Sequence, residues 1–355
     1  MKVAIIILGN TWVCPYVNTY KHMLEKAGCD YDVILWDRDG SDAGAPNAFS
    51  SGRVGLNNAF FKACFYLKYA RFIKRTVLKN GYDKLVVSGP HLAILLSSFL
   101  RKRYKGHYLL DYRDISIEQK KPLYSIYSKT LAGSCRNVIS SPGFRKYLPS
   151  EYDYLISHNF DVENAARSLA VEAPAFELEM PVNVLTIGAI RNYDTNVQIL
   201  ENLGNVSGYK LLFAGHGEAA GALKEYALSH GVTNAEFTGF YKKEDEASIV
   251  AKCTFVNIFF PDNIEHSSIM SNRFYLALMN KKPVIVTAGS IQAALVEKYS
   301  LGVVVADVRN LDMDIKKYIS EFDYVEFCVK CNELLAVFLE DQHALESAVS
   351  EFVRG

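Results

Sequence analysis

The sequence predicts an α/β protein of two domains, each built on a doubly wound parallel sheet. Three observations carry that expectation. Short β-branched runs alternate with helical patterns along both halves, as in strands joined by helical crossovers. Residues 161–180, between the halves, mix Ala, Glu and Pro without a clean period, as an interdomain segment does. The chain has 355 residues, and a single core rarely grows past about 250–300.

The first strand is expected at residues 3–8, a continuous apolar run suited to burial on both faces. The N-terminal stretch, residues 1–9, is short, carries one Lys (Lys2) and meets no small-residue cleavage site, so it reads as a strand and not as a signal peptide. A helix over 16–26 should stop at Gly28. A strand at 32–36 follows, then a loop over 39–55 rich in Gly, Ser, Ala and Asn. A long helix over 58–79 leads to a strand at 84–88, a helix at 91–103 and a strand at 107–111. Short strands are expected at 137–140 and 154–156.

The second half repeats the style. Strands are expected at 183–187, 210–214, 235–238, 255–259, 283–286 and 302–305. Helices fall between them at 194–203, 219–230, 243–251, 271–279 and 291–298, and residues 312–353 read as wholly helical. The expected division is residues 1–165, 181–320 and a helical tail, 321–355.

Composition narrows the class. Half of the residues are hydrophobic and 22% are charged, as in ordinary globular proteins. No apolar run reaches the roughly 18–20 residues that span a bilayer. Seven cysteines are scattered, and the lone Cys328-Val-Lys-Cys331 sits in a helical pattern without a second pair. Buried reduced thiols in a cytoplasmic protein are the expectation, not a metal site. Net charge is zero but uneven: residues 1–170 hold 24 Lys/Arg against 14 Asp/Glu, a balance of +10, and residues 171–355 hold 15 against 25, a balance of −10. The first half therefore suits an anionic partner.

Doubly wound sheets bind ligands at the carboxyl ends of their strands. In the second half those ends are polar. Gly188-Ala-Ile-Arg191 follows the first strand; Arg191 either grips a phosphate or caps a turn. Gly215-His216-Gly217 joins the next strand to a helix, whose first amides favour an anion, although such a turn asks for glycine anyway. Thr238-Gly239-Phe240-Tyr241 offers an aromatic to flank a base or to fill the core. The densest polar segment holds Glu265, His266, Ser267, Ser268, Ser271, Asn272 and Arg273. Arg273 is placed in a first helical turn, where a cation opposes the helix dipole and an anionic ligand would remove the conflict.

In the first half, Asp111-Tyr-Arg113-Asp114 ends a strand. Asp111 or Asp114 could orient a hydroxyl or take its proton, or Arg113 could simply pair with either one. Ser88-Gly-Pro-His91 adds His91, and Gly9-Asn10 supplies a turn after the first strand.

The order of these loops resembles the nucleotide-binding domain of GT-B glycosyltransferases of the family-4 retaining type, over about residues 180–306. The segment Ser271-Asn-Arg-Phe-Tyr-x-Ala-Leu-x-x-x-Lys-Pro-Val-Ile-Val286 is similar to the Pro-Asn-Lys-x-x-Glu form of capsule and lipopolysaccharide transferases. The resemblance implies two Rossmann-like domains facing a cleft, with C-terminal helices crossing back to the first. It implies a nucleotide-sugar donor, expected to be UDP-linked, on Gly188, Arg191, Gly215, His216, Gly239, Tyr241, Glu265, Ser268, Ser271, Asn272 and Arg273. A glycan or lipid-diphosphate acceptor would meet Gly9, Asn10 and Arg113, with Asp111, Asp114 and His91 as catalytic candidates. The family often carries two Glu eight positions apart; here Ser268 and Leu276 stand there, so the usual ribose contact must come from elsewhere, such as Glu265 or Asn272.

No cofactor and no metal is expected. Asp312-Met-Asp314 has metal-motif spacing but lies past the last strand, at a helix start, and reads as a cap. The helix over 58–79 carries Lys62, Lys68, Arg71, Lys74, Arg75 and Lys79. It either rests its apolar side on the sheet or lies on an anionic membrane. Nucleic acid is not expected, because no binding module appears. An epimerase and a non-catalytic binding subunit are the alternative readings.

Overall fold

The computed structural model describes residues 1–50, 59–170, 178 and 180–355. They form two compact units: Met1–Asn159 together with Asp341–Gly355, and Phe160–Glu340. The last helix thus contributes to both.

The first unit runs β1 (Lys2–Ile6), α1 (Val17–Lys26), β2 (Asp30–Asp37), β3 (Ala48–Ser50), α2 (Ala59–Asn80), β4 (Lys84–Ser88), α3 (Pro90–Arg103), β5 (Tyr108–Tyr112), α4 (Lys121–Leu131), β6 (Arg136–Ile139) and β7 (Leu155–Ile156). All seven strands are parallel, in the order β3-β2-β1-β4-β5-β6-β7. The strand order reverses between β1 and β4, where doubly wound sheets open a binding crevice. Residues Val3 to Ile7 are fully buried, which explains the unbroken apolar run.

One strand and one α-helix of this unit were not expected. The edge strand β3 falls inside the segment read as a loop; it is three residues long and, among the described residues, pairs with β2 alone. The helix α4 buries a narrow seam, Tyr127, Thr130 and Leu131, too short to give a clear period. Residues 51–58, the rest of the expected loop and the expected start of the long helix, lie outside the described residues.

The second unit runs α5 (Val162–Ala170), β8 (Val182–Ala189), α6 (Tyr193–Leu203), β9 (Tyr209–His216), α7 (Ala220–Ser229), β10 (Ala235–Gly239), α8 (Glu246–Ala251), β11 (Phe255–Ile258), α9 (Ile264–Ser268), α10 (Asn272–Met279), β12 (Val284–Thr287), α11 (Ile291–Tyr299), β13 (Gly302–Val305), α12 (Leu311–Ser320) and α13 (Tyr324–Arg354), the last shared with the first unit. Its six parallel strands follow the same scheme, β10-β9-β8-β11-β12-β13, reversing between β8 and β11. Two cores cover the faces of this sheet: one holds Leu185, Val256, Val286, Phe274 and Phe338, the other Val184, Leu211, Phe255, Ile285 and Leu311.

The segment read as interdomain contains a helix, α5. Val162, Ala165 and Leu169 form its apolar stripe, and they pack into the second unit's core. Residues 171–177 and 179 lie outside the described residues. The tail is not one helix either. It breaks after α12 and restarts where the Asp323 carboxylate accepts the Glu326 N–H at 3.0 Å, an N-terminal cap.

From Asp341 onward α13 belongs to the first unit. Leu345, Val349, Phe352 and Val353 join its core with Val3, Ile5, Val86 and Leu109. The Lys84 ammonium donates to the Phe352 carbonyl, and Arg136 pairs with Glu351 at 3.0 Å. His158 meets the Asp341 carboxylate at 3.0 Å, and Gln342 donates to the His158 carbonyl at 2.9 Å. Among the described residues, no helix is long and apolar enough to cross a membrane.

Candidate functional site

The second unit gathers its polar residues at the carboxyl ends of β8, β9, β10 and β11. Arg273 lies at their centre. Ser271 caps α10, its hydroxyl accepting the Arg273 N–H at 3.3 Å. The half-buried Arg273 side chain then reaches across two strand ends. Its Nε donates to the Ile187 carbonyl at 2.5 Å, one terminal nitrogen to the Asn257 carbonyl at 3.2 Å, the other to the Ala189 carbonyl at 3.0 Å. The Phe260 ring lies 5.7 Å from the guanidinium carbon.

A guanidinium carries five N–H donors, so two remain for something else. Among the described residues no carboxylate pairs with Arg273. Burial pushes its pKa down to about 10, partly offset by the nearby Tyr241 phenol. Placing a cation here without a counter-ion is unfavourable, and an anion docking on the two open N–H groups would relieve it.

The neighbouring loops are tight. A Cβ at Gly215 would stand 2.0 Å from the Gly188 carbonyl, and one at Gly217 would stand 2.3 Å from the Ile190 carbonyl. The Gly-x-Gly spacing is therefore required by the close approach of the loops after β8 and β9, with no ligand invoked. Arg191 is exposed beyond that turn, and no ion pair engages it among the described residues. Asn192 follows in a left-handed conformation, φ 58°, and its carbonyl is held by Asn196 at 3.0 Å.

His266 ties this loop to the α9 segment, and it was not among the expected contacts. Its Nδ1 meets the Asn263 side-chain oxygen at 3.0 Å, and its Nε2 faces the Asn192 amide nitrogen at 3.3 Å. Asn263 accepts and Asn192 donates, so the ring is the neutral Nδ1–H tautomer. Burial holds the His266 pKa below its ordinary value, opposed by Glu265. His266 also lines a pocket with about 220 Å³ of empty space open to solvent, walled by Phe260, Asp262, Thr287, Ser290 and Gln292. The sequence did contain the signal, an Asn three residues before a His in a polar turn.

Tyr241 donates to Glu246 at 3.2 Å, and its pKa rises to about 12, first through burial and then through the Glu246 charge. A Cβ at Gly188 would lie 4.0 Å from the Tyr241 oxygen, so the β10 loop closes over the β8 loop. Gly239 ends β10 with φ 71°. His216 ends β9 with its ring 5.7 Å from that of Phe240 and tilted 50° to it; Phe240 is 75% exposed.

Other expected donor contacts point elsewhere. Ser268 is fully buried and its hydroxyl donates to the Ile264 carbonyl at 2.8 Å, so it is a helix hydrogen bond and not a surface contact. Glu265 is exposed on α9, and Asn272 is exposed at the start of α10. The Ser271 N–H is taken by Gln292 at 3.1 Å. Leu276 is partly buried against the core.

The first unit presents a different picture. The Asp111 carboxylate accepts both Nε and a terminal nitrogen of Arg113 at 2.7 Å, and Arg113 also donates to the Ser157 hydroxyl at 2.9 Å. Both members are buried, and the Arg113 guanidinium lies 4.3 Å over the Tyr16 ring. Burial raises the Asp111 pKa against the pull of Arg113; the Arg113 pKa rises because Asp111 more than offsets its burial. Of the two readings of this motif, the ion pair describes Asp111 and Arg113: neither is exposed to a substrate. Asp114, the next residue, is exposed.

His91 opens α3, half-buried, with Ser116 Oγ at 3.3 Å from Nδ1 and the Tyr66 ring at 5.4 Å. Burial holds its pKa down. Asn10 is buried and structural. Its amide donates to Asp37 at 2.7 Å, Ser41 at 2.9 Å and Asp42 at 3.0 Å, lashing the turn at Gly9 to the loop after β2. Among the described residues, no group of three or more His, Cys, Asp or Glu is arranged to hold a metal ion. Asp312 sits in the first turn of α12, bound by Tyr209 at 2.9 Å and Lys316 at 2.8 Å.

No protein-family model and no curated protein sequence matches the chain. Solved structures do. The sucrose-phosphate synthase of Thermosynechococcus elongatus superposes with a TM-score of 0.70 at 14% identity, over 100% of this chain and 98% of the other. The HepE protein of Anabaena, in complex with UDP, gives 0.67 at 11% identity over 100% of both chains. The lipopolysaccharide outer core galactosyltransferase WaaB, in its apo form, gives 0.64 at 13% identity, over 93% of this chain and 94% of the other. The two parallel sheets with flanking helices are the GT-B fold.

Proposed function

We propose that the chain is a glycosyltransferase, taking its sugar from a nucleotide-diphospho-sugar on the second unit and passing it to a glycan or lipid-linked acceptor. One observation carries the reading: Arg273 is fixed by three backbone carbonyls at the strand ends and has no carboxylate partner among the described residues. A diphosphate supplies the missing charge, and Arg191 stands exposed on the adjacent loop to add a second contact. The exposed Phe240 ring, with His216 beside it, offers an aromatic face for a base. That HepE is solved with UDP and with UDP-glucose supports a uridine nucleotide here.

The chemistry asks little covalent work of the protein. An acceptor oxygen bonds to the anomeric carbon, the bond from that carbon to the diphosphate breaks, and the electron pair leaves with the diphosphate. Arg273, Arg191 and the first turn of α10 stabilise the charge as it develops. The acceptor proton passes to a base, for which exposed Asp114 is the candidate; buried Asp111 holds Arg113. Because arginines supply the positive charge, the proposed reaction needs no divalent metal. Retention at the anomeric carbon is part of the proposal, on the resemblance of the sequence to family-4 enzymes.

A role in surface-polysaccharide synthesis on the inner face of the membrane fits the lipopolysaccharide transferases among the similar structures. It also fits α2, which exposes Phe60, Phe61 and Leu67 among six Lys/Arg and carries no acid. The test is nucleotide release from a panel of nucleotide sugars, in EDTA, with and without membrane lipid extract. UDP release only with acceptor is expected. Acceptor-independent conversion of the donor would mean an epimerase, and absence of nucleotide binding would leave a non-catalytic subunit.

A further inference from the structure

We propose that Arg38, His91 and Lys62 form a second anion site, in the first unit, that holds a phosphate group of the acceptor. Its role in transfer rests on the glycosyltransferase reading; the binding itself does not.

Arg38 directly follows β2. Its Nε is buried with no hydrogen-bond acceptor, and among the described residues no carboxylate pairs with it. This is not for want of acids nearby. Asp37 is occupied by the Asn10 amide at 2.7 Å and the Gly40 N–H at 2.8 Å. Asp39 accepts from Trp12 Nε1 at 3.1 Å and the Ser41 N–H at 2.9 Å. Asp42 takes the Thr11 N–H at 3.0 Å and the Thr11 hydroxyl at 2.8 Å. Three neighbouring carboxylates are committed to fixing loops, while the cation among them is left uncompensated. A buried donor without an acceptor costs about 1–3 kcal/mol, and more when charged, so something is expected to meet it.

The aromatic residues fix what lies beside it. The Arg38 guanidinium stands 4.7 Å over the Trp36 ring; Trp36 packs on Tyr66 at 5.3 Å, and Tyr66 on His91 at 5.4 Å. Lys62 lies one helical turn before Tyr66 on α2, on the same face, with its side chain exposed. His91 is steadied by Ser116 and sits in the first turn of the 14-residue α3, whose dipole favours an anion. Arg38 and Lys62 both disfavour protonation of His91, and buried Glu118 is the opposing charge. Arg38 follows β2 and His91 follows β4, the two neighbours of β1, which brackets the point where the strand order reverses. A guanidinium fork, an ammonium and an imidazole together suit a phosphate monoester or diphosphate.

The same chemistry arises from a soluble sugar phosphate or a lipid-borne phosphate. The experiment uses the full chain with Arg273→Gln, which silences the second unit. Inorganic pyrophosphate is titrated while the imidazole resonances are followed by NMR, with His91→Gln identifying His91. A saturable His91 shift is expected, weakened about tenfold or more by Arg38→Gln and by less with Lys62→Gln. No shift, or one that neither substitution weakens, overturns the proposal. Displacement of pyrophosphate by a hexose 6-phosphate, or by phosphatidylcholine vesicles bearing an isoprenyl phosphate, supports it and identifies the source; displacement by neither overturns it. UDP binding to the unsubstituted chain is read separately. Its loss with the His91 shift intact would sink the glycosyltransferase reading and leave this site standing.

Discussion

Each unit brings an arginine to the carboxyl end of its sheet, and the two meet opposite surroundings. Arg113 carries its own counter-ion: Asp111 holds it at 2.7 Å, and both are buried. Arg273 has only three carbonyl oxygens, which orient a cation without neutralising it. The pKa directions follow. The Arg113 pKa rises beside its carboxylate, and the Arg273 pKa falls to about 10. An arginine that is satisfied within its own fold is structural. One that is fixed and still short of an anion is a candidate for a ligand contact.

Three measurements break or sharpen that contrast. The largest effect is expected at the closed pair. Arg113→Ala strands the buried Asp111 and should lower unfolding stability by about 3–5 kcal/mol in denaturant titration. UDP affinity in the fraction that remains folded should be unchanged, and a Tm equal to that of the unsubstituted chain would erase the contrast. Next comes the open arginine. Arg273→Ala should weaken UDP by about 1.5–3 kcal/mol in calorimetry while leaving the fold about as stable as before. Unaltered UDP affinity would remove the diphosphate assignment.

The smallest effect concerns His266. Its folded pKa lies below the unfolded value, so the fold favours the neutral ring. Above the unfolded pKa both states are neutral and nothing changes. As the pH falls below that value, the unfolded chain protonates first and the fold loses stability. Protonation in the fold also places a hydrogen on Nε2, against the Asn192 amide. UDP affinity should therefore drop by about 0.5–1.5 kcal/mol between pH 8 and pH 5, relative to His266→Phe. Parallel pH profiles for the two proteins would dissociate His266 from the donor loop.

The strands were the most legible part of the chain. Residues 84–88 and 302–305 matched to the residue: β4 is buried along its whole length and leaves an unbroken signal, and the edge strand β13 is still marked by three consecutive valines after Gly302. What escaped were elements whose buried face is narrow, such as α4 and α5, or which lie at an edge, such as β3. At the candidate site, the place of Arg273 in a first helical turn was legible, and a cation there conflicts with the helix dipole. Arg38 was not, since a single Arg among Asp37, Asp39 and Asp42 reads as a paired surface residue. Ser268 failed in the opposite sense, a polar residue in a polar run that turns inward to its own helix.

By itself the sequence determined the two alternating α/β halves, the strand positions and the loops where function was to be sought. Apolar runs and glycine turns are local signals, and they survive without knowledge of the neighbours. Only the tertiary structure decided which charges are spent. Asp111 closes on Arg113, Asp37 and Asp42 close on Asn10 and Thr11, and Arg273 and Arg38 are left over. Whether a charge is satisfied depends on which oxygen lies within hydrogen-bond reach, and only the folded chain sets that distance.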